Sequence, residues 1–563
     1  MTSCKSLHSK HKKSLNRRAL RQNLLVTWVL SLTLLSGCST TLQEFVHNGF
    51  KVGPEYQRPP APLADAWIDS GKVGVSNASP NYSDWWAAFD DPVLNNLIVT
   101  AYEQNVNLRV ASIRVLEARA QKAIAVGTLF PQSQSIDGSY TRTQTSKNVA
   151  IPSPIRSFST WNATFGATWE IDFWGKIRRI IESTDDVVDA SVDDYDNVMV
   201  SLIGDVASTY VTYRVLQQQL QYLEQNISLQ EATLKIATER WEAGQTNELG
   251  TVQATSLLEQ LKATIPTVES GVRVTQNQLC VLLGMPPTDL AEMLGKAPIP
   301  ESPPEVLVGI PADLIRRRPD LRSAERFIAA QNAQIGVAEA DFYPNFFISG
   351  NIGYQAKDLD LLFGPRSGIG QITPGLNWDI LNYGRIANNV RLQEFKTQEL
   401  VAVYQQKVLV AAREVENGII NYLNSQVSAR HLTASVAAAE RAVTLASAQY
   451  NAGVIDFTSV FVAEQFLVQQ QNLLAQAQGD IALGLITVYR SLGGGWELRL
   501  SDPEVDTDSE VIPTPSFETF PDAPTFIEPM VEAETEVREI DFQLFQPESA
   551  PPANEKPEFV ISE

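Results

Sequence analysis

Residues equipped for chemistry are few in this 563-residue chain, and their spacing assembles almost none of it. Three cysteines stand at 4, 38 and 280, and four histidines at 8, 11, 47 and 431. A zinc site or disulfide framework draws on such residues at characteristic close spacings, which these positions lack. No Ser–His–Asp set, glycine-rich phosphate cradle or paired-carboxylate site is legible either. An enzyme, a metal and a cofactor are therefore not expected. The formal charge of −21 argues against nucleic acid, whose phosphates demand a basic surface.

Cys38 is the exception. Residues 5–21 carry seven bases and no acid, and LLVTWVLSLTLL follows at 24–35. A basic stretch and about a dozen apolar residues make an export signal, too short to remain as a membrane helix. It ends in Leu35-Ser36-Gly37-Cys38, which resembles the bacterial lipobox, in which the cysteine thiol is acylated and becomes the new N-terminus. The plain alternative is an ordinary signal with a chance cysteine. Removing the seven bases takes the charge from −21 to −28. No later stretch has the ~18 uninterrupted apolar residues of a membrane helix. Any spanning part must be something other than helices.

The elements that position the rest come in two copies. GATWEIDFWGKI at 166–177 recurs at 375–386 as GLNWDILNYGRI, pairing Trp169 with Trp378, Trp174 with Tyr383, and Gly175 with Gly384. The 209-residue offset holds through Asp205/Glu414, Tyr213/Tyr422, Ala243-Gly244/Ala452-Gly453 and Leu283-Gly284/Leu492-Gly493. Upstream it is 213, as in Phe130-Pro131/Tyr343-Pro344, so one copy has a longer loop between Pro131 and Trp169. The period is far longer than that of a solenoid repeat.

Each copy has one plan. A helix (107–130; 319–343) ends at a proline and two strands follow (132–144 and 161–173; 346–354 and 372–380). In 161–173 apolar Trp161, Ala163, Phe165, Ala167, Trp169, Ile171 and Phe173 alternate with polar or small residues, the period of a strand. Proline-free runs at 176–241 and 385–450 predict helices of about 100 Å at 1.5 Å per residue. Gly244 and Gly453 break them, and helices return over 247–283 and 456–492. The chain divides into 1–37 signal, 38–100 anchored and equatorial segment, 101–290 first repeat, 291–318 linker, 319–496 second repeat and 497–563 tail. Within the tail, 501–563 carries 17 acids against Arg538 and Lys556 and ten prolines, a composition that predicts disorder.

A strand apolar on one face and polar on the other fits a soluble sandwich or a membrane β-barrel whose apolar face meets lipid. Trp161 at one end and Trp169, Phe173 and Trp174 at the other suit the aromatic girdles of a barrel. Two strands per copy make four per chain, and four cannot close without an open edge in lipid. Oligomerisation is therefore required, a dimer giving 8 strands and a trimer 12. The repeated segment with Trp169, Trp174, Gly175, Trp378, Tyr383 and Gly384 is the corner where strand becomes helix.

These residues resemble the outer-membrane efflux protein family, the TolC-like and particularly the OprM/NodT-type lipoproteins. The resemblance rests on VGPEYQRPPAPLADAW (52–67), DWWAAFDDPVLNNLI (84–98), WEIDFWGKIRR (169–179), IPADLIRRRPDLRSAE (310–325), NAQIGVAEADFYPNF (332–346) and YNAG…SLGGGW (450–496). It covers nearly the whole mature chain to about residue 500. It implies a mixed α and β membrane protein: a homotrimer with a 12-stranded β-barrel continuous with a 12-helix periplasmic α-barrel. It also implies a passive exit duct for small molecules, docked to a periplasmic adaptor and an inner-membrane pump, usually proton-driven. A duct for protein secretion and a structural envelope lipoprotein are the alternatives. The expected gate lies at the tips around Gly244, Gly453 and Asp456. The family's usual acid in the returning tip helix is replaced by Val462, and Asp456 and its counterpart Asn247 are both read as helix N-caps.

Overall fold

The computed structural model describes residues 41–78, 82–146, 148 and 154–500; Cys38 and the segment 501–563 lie outside the described residues. In chain order the helices are α1 (Leu42–His47), α2 (Pro92–Gln104), α3 (Val106–Gly127), α4 (Lys176–Glu242), α5 (Leu249–Leu282), α6 (Ala291–Leu294), α7 (Leu314–Arg317), α8 (Pro319–Ala340), α9 (Arg385–Asn451) and α10 (Phe457–Ser491). The strands are β1 (Val75–Ser76), β2 (Ser133–Gln144), β3 (Ser157–Ile171), β4 (Val306–Leu307), β5 (Asn345–Ala356) and β6 (Gly368–Asn377).

Helices α4 and α9 have 67 residues each, about 100 Å at 1.5 Å per residue. Nothing interrupts them, because no proline falls in either span. Each stops at a glycine with left-handed backbone, Gly244 (φ 71) and Gly453 (φ 73). There the Gln245 and Val454 amides close back on the Arg240 and Gln449 carbonyls, capping the helix end. Shorter helices pack end to end beside the long ones, α3 and α5 against α4, and α8 and α10 against both α4 and α9. The protomer is therefore a sheet of four helical staves in the order α3/α5, α4, α8/α10, α9.

The core lies at mid-height, where segments outside the repeats wrap the staves. Trp85, Trp86 and Phe89 in a 3₁₀ turn and Leu94, Leu97 and Ile98 of α2 are buried there with Tyr210, Tyr404, Tyr422 and Tyr489. Trp85 stacks on Tyr489 at 5.6 Å. Two buried ionic groups brace this level. Asp196, with no solvent exposure, accepts from Arg322 and Arg499. Arg214, equally buried, donates to Tyr210 and the Leu294 and Gly295 carbonyls.

The four long strands form one antiparallel sheet in the order β2–β3–β5–β6. Its register refines the repeat. Phe165 pairs with Ile136, and its counterpart Pro374 pairs with Ile348. Ile136 and Ile348 are thus equivalent at an offset of 212, not the 213 expected from Pro131 and Pro344. One residue of the length difference precedes β2 and the other three fall in the β2–β3 connection.

Candidate functional site

The register sorts the sheet into two faces. One carries rows such as Gly138–Ala163–Tyr354–Gly368 and Ile136–Phe165–Ile352–Gly370. The other carries Ser133–Thr168–Ser349–Thr373 and Ser135–Gly166–Asn351–Gln371. Among the described residues nothing covers the apolar face: Ile136 is 86% exposed and Ile372 81%. The Tyr140–Trp161 ring pair, at 4.6 Å, marks one end of this band and Trp169 the other. Eight residues of strand separate Trp161 from Trp169, about 27 Å, or about 20 Å of height at a 40° tilt. That approaches the ~25 Å apolar band of an outer-membrane barrel. Among the described residues no helix is long and apolar enough to cross a membrane, and no group of acids, histidines and cysteines could hold a metal ion.

At the lower edge of this band each copy turns from strand to helix. Gly175 (φ 80) and Gly384 (φ 82) precede the first turns of α4 and α9 in left-handed backbone that favours glycine. The Trp169 indole donates to the Leu129 carbonyl at 3.0 Å, and Trp378 donates to the equivalent Phe342 carbonyl at 2.9 Å. Each tryptophan so ties a strand end to the short helix of its own copy. The next aromatic works between copies. Trp174 stacks on Tyr343 at 4.4 Å and donates to the Pro344 carbonyl at 2.9 Å. Its counterpart Tyr383, at φ 50, is 97% exposed, and Phe130, counterpart of Tyr343, is 65% exposed. Asp172 caps α4 by accepting from the Ile177 and Arg178 amides, each at 3.0 Å.

The segment ahead of the first repeat is strapped across this corner. α1 opens with a capping box between Thr41 and Glu44, and Phe45 lies 5.6 Å from the Trp174 ring. Arg179, fully buried, donates to the Val52 and Gly53 carbonyls and to Glu55 and Glu182. Below, Arg58 and Tyr56 hold Glu325 of α8, and the Trp67 indole reaches the Gly309 carbonyl. The first described residue, Thr41, is thus held beside the aromatic corner.

At the far ends of α4 and α9, the two hairpin tips pack on one another. Tyr450 and Phe457 meet edge to face at 5.5 Å and bury Ala237, Ala254 and Val460. Arg240 of α4 lies over the Tyr450 ring at 4.8 Å and donates to the Tyr450 carbonyl, joining one hairpin to the other. Asp456 is the N-cap of α10, accepting from the Ser459 amide at 3.4 Å, and its carboxylate is exposed. Asn247 does not cap. The N-cap of α5 is Glu248, already helical at φ −66 and ψ −20 and without a side-chain bond. α5 starts one residue later than the 209 offset gives, so the asparagine falls outside it. Val462 is 57% exposed, whereas Glu464, two residues on, is buried.

A family model described as outer membrane efflux protein matches residues 97–285 and 310–494, one match on each copy. The chain belongs to the outer membrane efflux protein family. The solvent efflux pump outer membrane protein SrpC of Pseudomonas putida is 30% identical over 490 residues, covering 84% of this chain and 98% of that one. The cation efflux system protein CusC of Escherichia coli O6:H1 is 28% identical over 462 residues, covering 80% of this chain and 96% of its own length. The solved structure of the outer-membrane channel OprN superposes with a TM-score of 0.75 at 28% identity, covering 79% of this chain and 99% of that one.

Several residues that build this efflux protein's corner and tip escape a sequence reading. Phe45, Asp172 and Arg179 act on partners up to 129 residues away, so no local period marks them. Arg240 and Glu464 sit in helices where an arginine or glutamate ordinarily reads as a solvated residue. The repeat does carry one usable signal: Arg240 and Glu464 face Gln449 and Thr255 at the 209 offset, two places where the copies differ in charge.

Proposed function

We propose that three copies of this efflux protein close into a single duct through the outer membrane, a 12-stranded barrel continued by a 12-stave helical tube. The observation that carries this is the unfinished pseudosymmetry of the protomer. Within one chain, β3 pairs with β5, α4 packs on α8, and Trp174 stacks on Tyr343. The same contact, advanced by one copy, would join β6 to β2, α9 to α3, and Tyr383 to Phe130 of the next chain. Those partners are present and uncovered: β2 and β6 are the sheet edges, and Tyr383 and Phe130 are exposed. Open edges do not persist in lipid, which favours closure.

The polar face then lines a wet lumen and the apolar face meets lipid. Apart from the carboxylates Asp137 and Glu170 the lumen side is mainly hydroxyls, amides and glycines, with no built binding site, so the duct is a passive exit for small molecules and the pump chooses them. The names of the relatives agree, since proteins named for solvent efflux and for cation efflux are 30% and 28% identical to this one. A periplasmic adaptor and an inner-membrane pump, proton-driven in the family's usual arrangement, are the partners. Cys38 is the lipid attachment site. It lies three residues before Thr41, within about 11 Å of extended chain, so acyl chains there fall level with the aromatic corner. The tip around Gly244, Gly453 and Asp456 is the closure, with the Arg240–Tyr450 contact holding neighbouring hairpins together.

Reconstitution of the full chain in planar bilayers tests this. Native mass spectrometry is expected to give three protomers, with low resting conductance that rises when the tips part. A monomer passing no current would refute the duct.

A further inference from the structure

The seam between the two helical hairpins, where α10 lies on α4 above the tip, contains a group that its surroundings do not explain. Glu464 is 4% exposed. One turn to either side, α10 contributes Val460, Leu467, and the pair Phe461 and Val468 to three separate apolar clusters. A carboxylate set among three apolar clusters costs stability unless it is paired. Among the described residues its one partner is the Thr233 hydroxyl of α4 at 3.0 Å, and its second oxygen has none.

The bond to Thr233 also identifies the protonation state the seam is built for. That hydroxyl lies 3.0 Å from the Leu229 carbonyl as well, and a carbonyl only accepts. A threonine hydroxyl has one hydrogen, so it cannot donate both to Leu229 and to an ionised Glu464. A neutral carboxyl resolves the conflict by donating to Thr233 Oγ1 while Thr233 donates to Leu229. Among the described residues no cation offers itself instead. On α4, Glu231, Lys235 and Glu239 are exposed, Glu231 pairs with Lys262 of α5, and Arg240 is engaged by Tyr450. On α5, Glu259 is exposed, as are Glu440 and Arg441 on α9.

We infer that Glu464 is a proton-operated catch: neutral, it leaves the seam between the hairpins packed, and ionised, it drives the seam to part and admit water. Burial pushes its carboxyl from 4.5 up to about 7. The sign follows from proton linkage. The packed seam holds the proton more tightly than a hydrated one, so packing is favoured at low pH and loses ground as pH rises from about 4.5 to about 7. Across that window the packed-to-parted ratio falls up to ~300-fold per protomer, and changes little above it. The first copy has Thr255 at the equivalent position, so the device appears once per chain.

The catch rests on the duct reading, and two readouts keep the two apart. In planar bilayers with the tip side stepped from pH 5 to 8, resting conductance is expected to rise severalfold and level off above pH 7. Glu464→Gln should stay at the acid level throughout, and Thr233→Val, which removes the hydroxyl that accepts from the neutral carboxyl, should move the rise to lower pH. A Gln variant that keeps the wild-type step, or a wild-type channel with no step, overturns the catch. Backbone hydrogen exchange over 457–470, corrected for its intrinsic pH dependence, reads the seam without current. Protection should fall with pH in the wild type and hold in Glu464→Gln; equal loss in both would again overturn it. Absence of current at every pH would refute the duct, while the exchange experiment still decides the catch.

Discussion

If the strands of neighbouring chains repeat the pairing seen inside one chain, the register between them is fixed to the residue. Thr164 of β3 faces Gly353 of β5. Advanced by the offsets of 209 and 212, that pair becomes Thr373 of one chain opposite Thr141 of the next. A one-residue slip would turn Ile372 and Leu376 of β6 to the lumen side, so register is strongly specified. A two-residue slip preserves the faces and is the real competitor. Directly opposed residues have Cα atoms about 4.5–5.5 Å apart, inside the window a disulfide spans. Two residues of slip add about 6.8 Å along the strand, giving about 8.5 Å, which a disulfide cannot bridge. The variant Thr373→Cys/Thr141→Cys should therefore oxidise to a covalent trimer on a non-reducing gel, and each single variant should not. Cys280, the one cysteine among the described residues, is buried and will not compete. Thr373→Cys paired with Ser139→Cys or Thr143→Cys should remain unlinked. Efficient linkage of either control with failure of the main pair would refute the pseudosymmetry argument.

Trp174→Ala removes a ring stack, a bond to Pro344 and the Phe45 contact, at a cost of about 3 kcal/mol for this half-buried ring; Trp174→Phe should lose only about 1 kcal/mol. Thermal melting in detergent would rank the two, and limited proteolysis should cut the 41–67 strap first in the alanine variant. Asp456→Ala should destabilise the tip by about 1 kcal/mol, while Asp456→Asn caps equally well. A resting conductance raised by asparagine at unchanged melting temperature would add a role for the charge in closure, and an unchanged one would limit Asp456 to capping. Cys38→Ser should abolish acylation and leave pore formation intact, with mass spectrometry of the mature N-terminus as the check; an unmodified Cys38 in the wild type would remove the anchor.

Elements governed by neighbours along the chain were readable. The expected helices 176–241 and 385–450 are Lys176–Glu242 and Arg385–Asn451, because proline-free runs and an Ala-Gly break mark both ends. Strands were less exact. β3 begins at Ser157, four residues before its apolar alternation, where backbone pairing to Thr141–Gln144 and cross-strand side-chain bonds from Tyr140 and Arg142 hold Ser157–Thr160. β6 ends at Asn377, short of the expected 380, since it is an edge strand whose one ladder, to β5, ends at Asn345–Asn377. The strap over 41–67 has no period to read, being fixed by Arg179 and Glu325 from distant helices. At the tip, Asp456 was legible as a cap and Asn247 was misread, because one residue of shift at a helix start is invisible in an alignment of copies.

Tyr383 and Phe130, exposed at opposite edges of a chain whose equivalent Trp174 and Tyr343 are already stacked, also bear on how the duct is put together. With half-length chains, six bodies would have to meet, and ring yield would climb roughly with the sixth power of concentration. Tethering the halves makes every second seam intramolecular, at an effective concentration near millimolar for a short connection. In the proposed trimer only three encounters would remain, so yield would follow the third power. Fusion also freed the two kinds of seam to diverge. The one within a chain carries a strap and a buried arginine, while the one proposed between chains would rest on the smaller Tyr383 and Phe130 rings, a contact that could be tried, released and tried again until the ring closes.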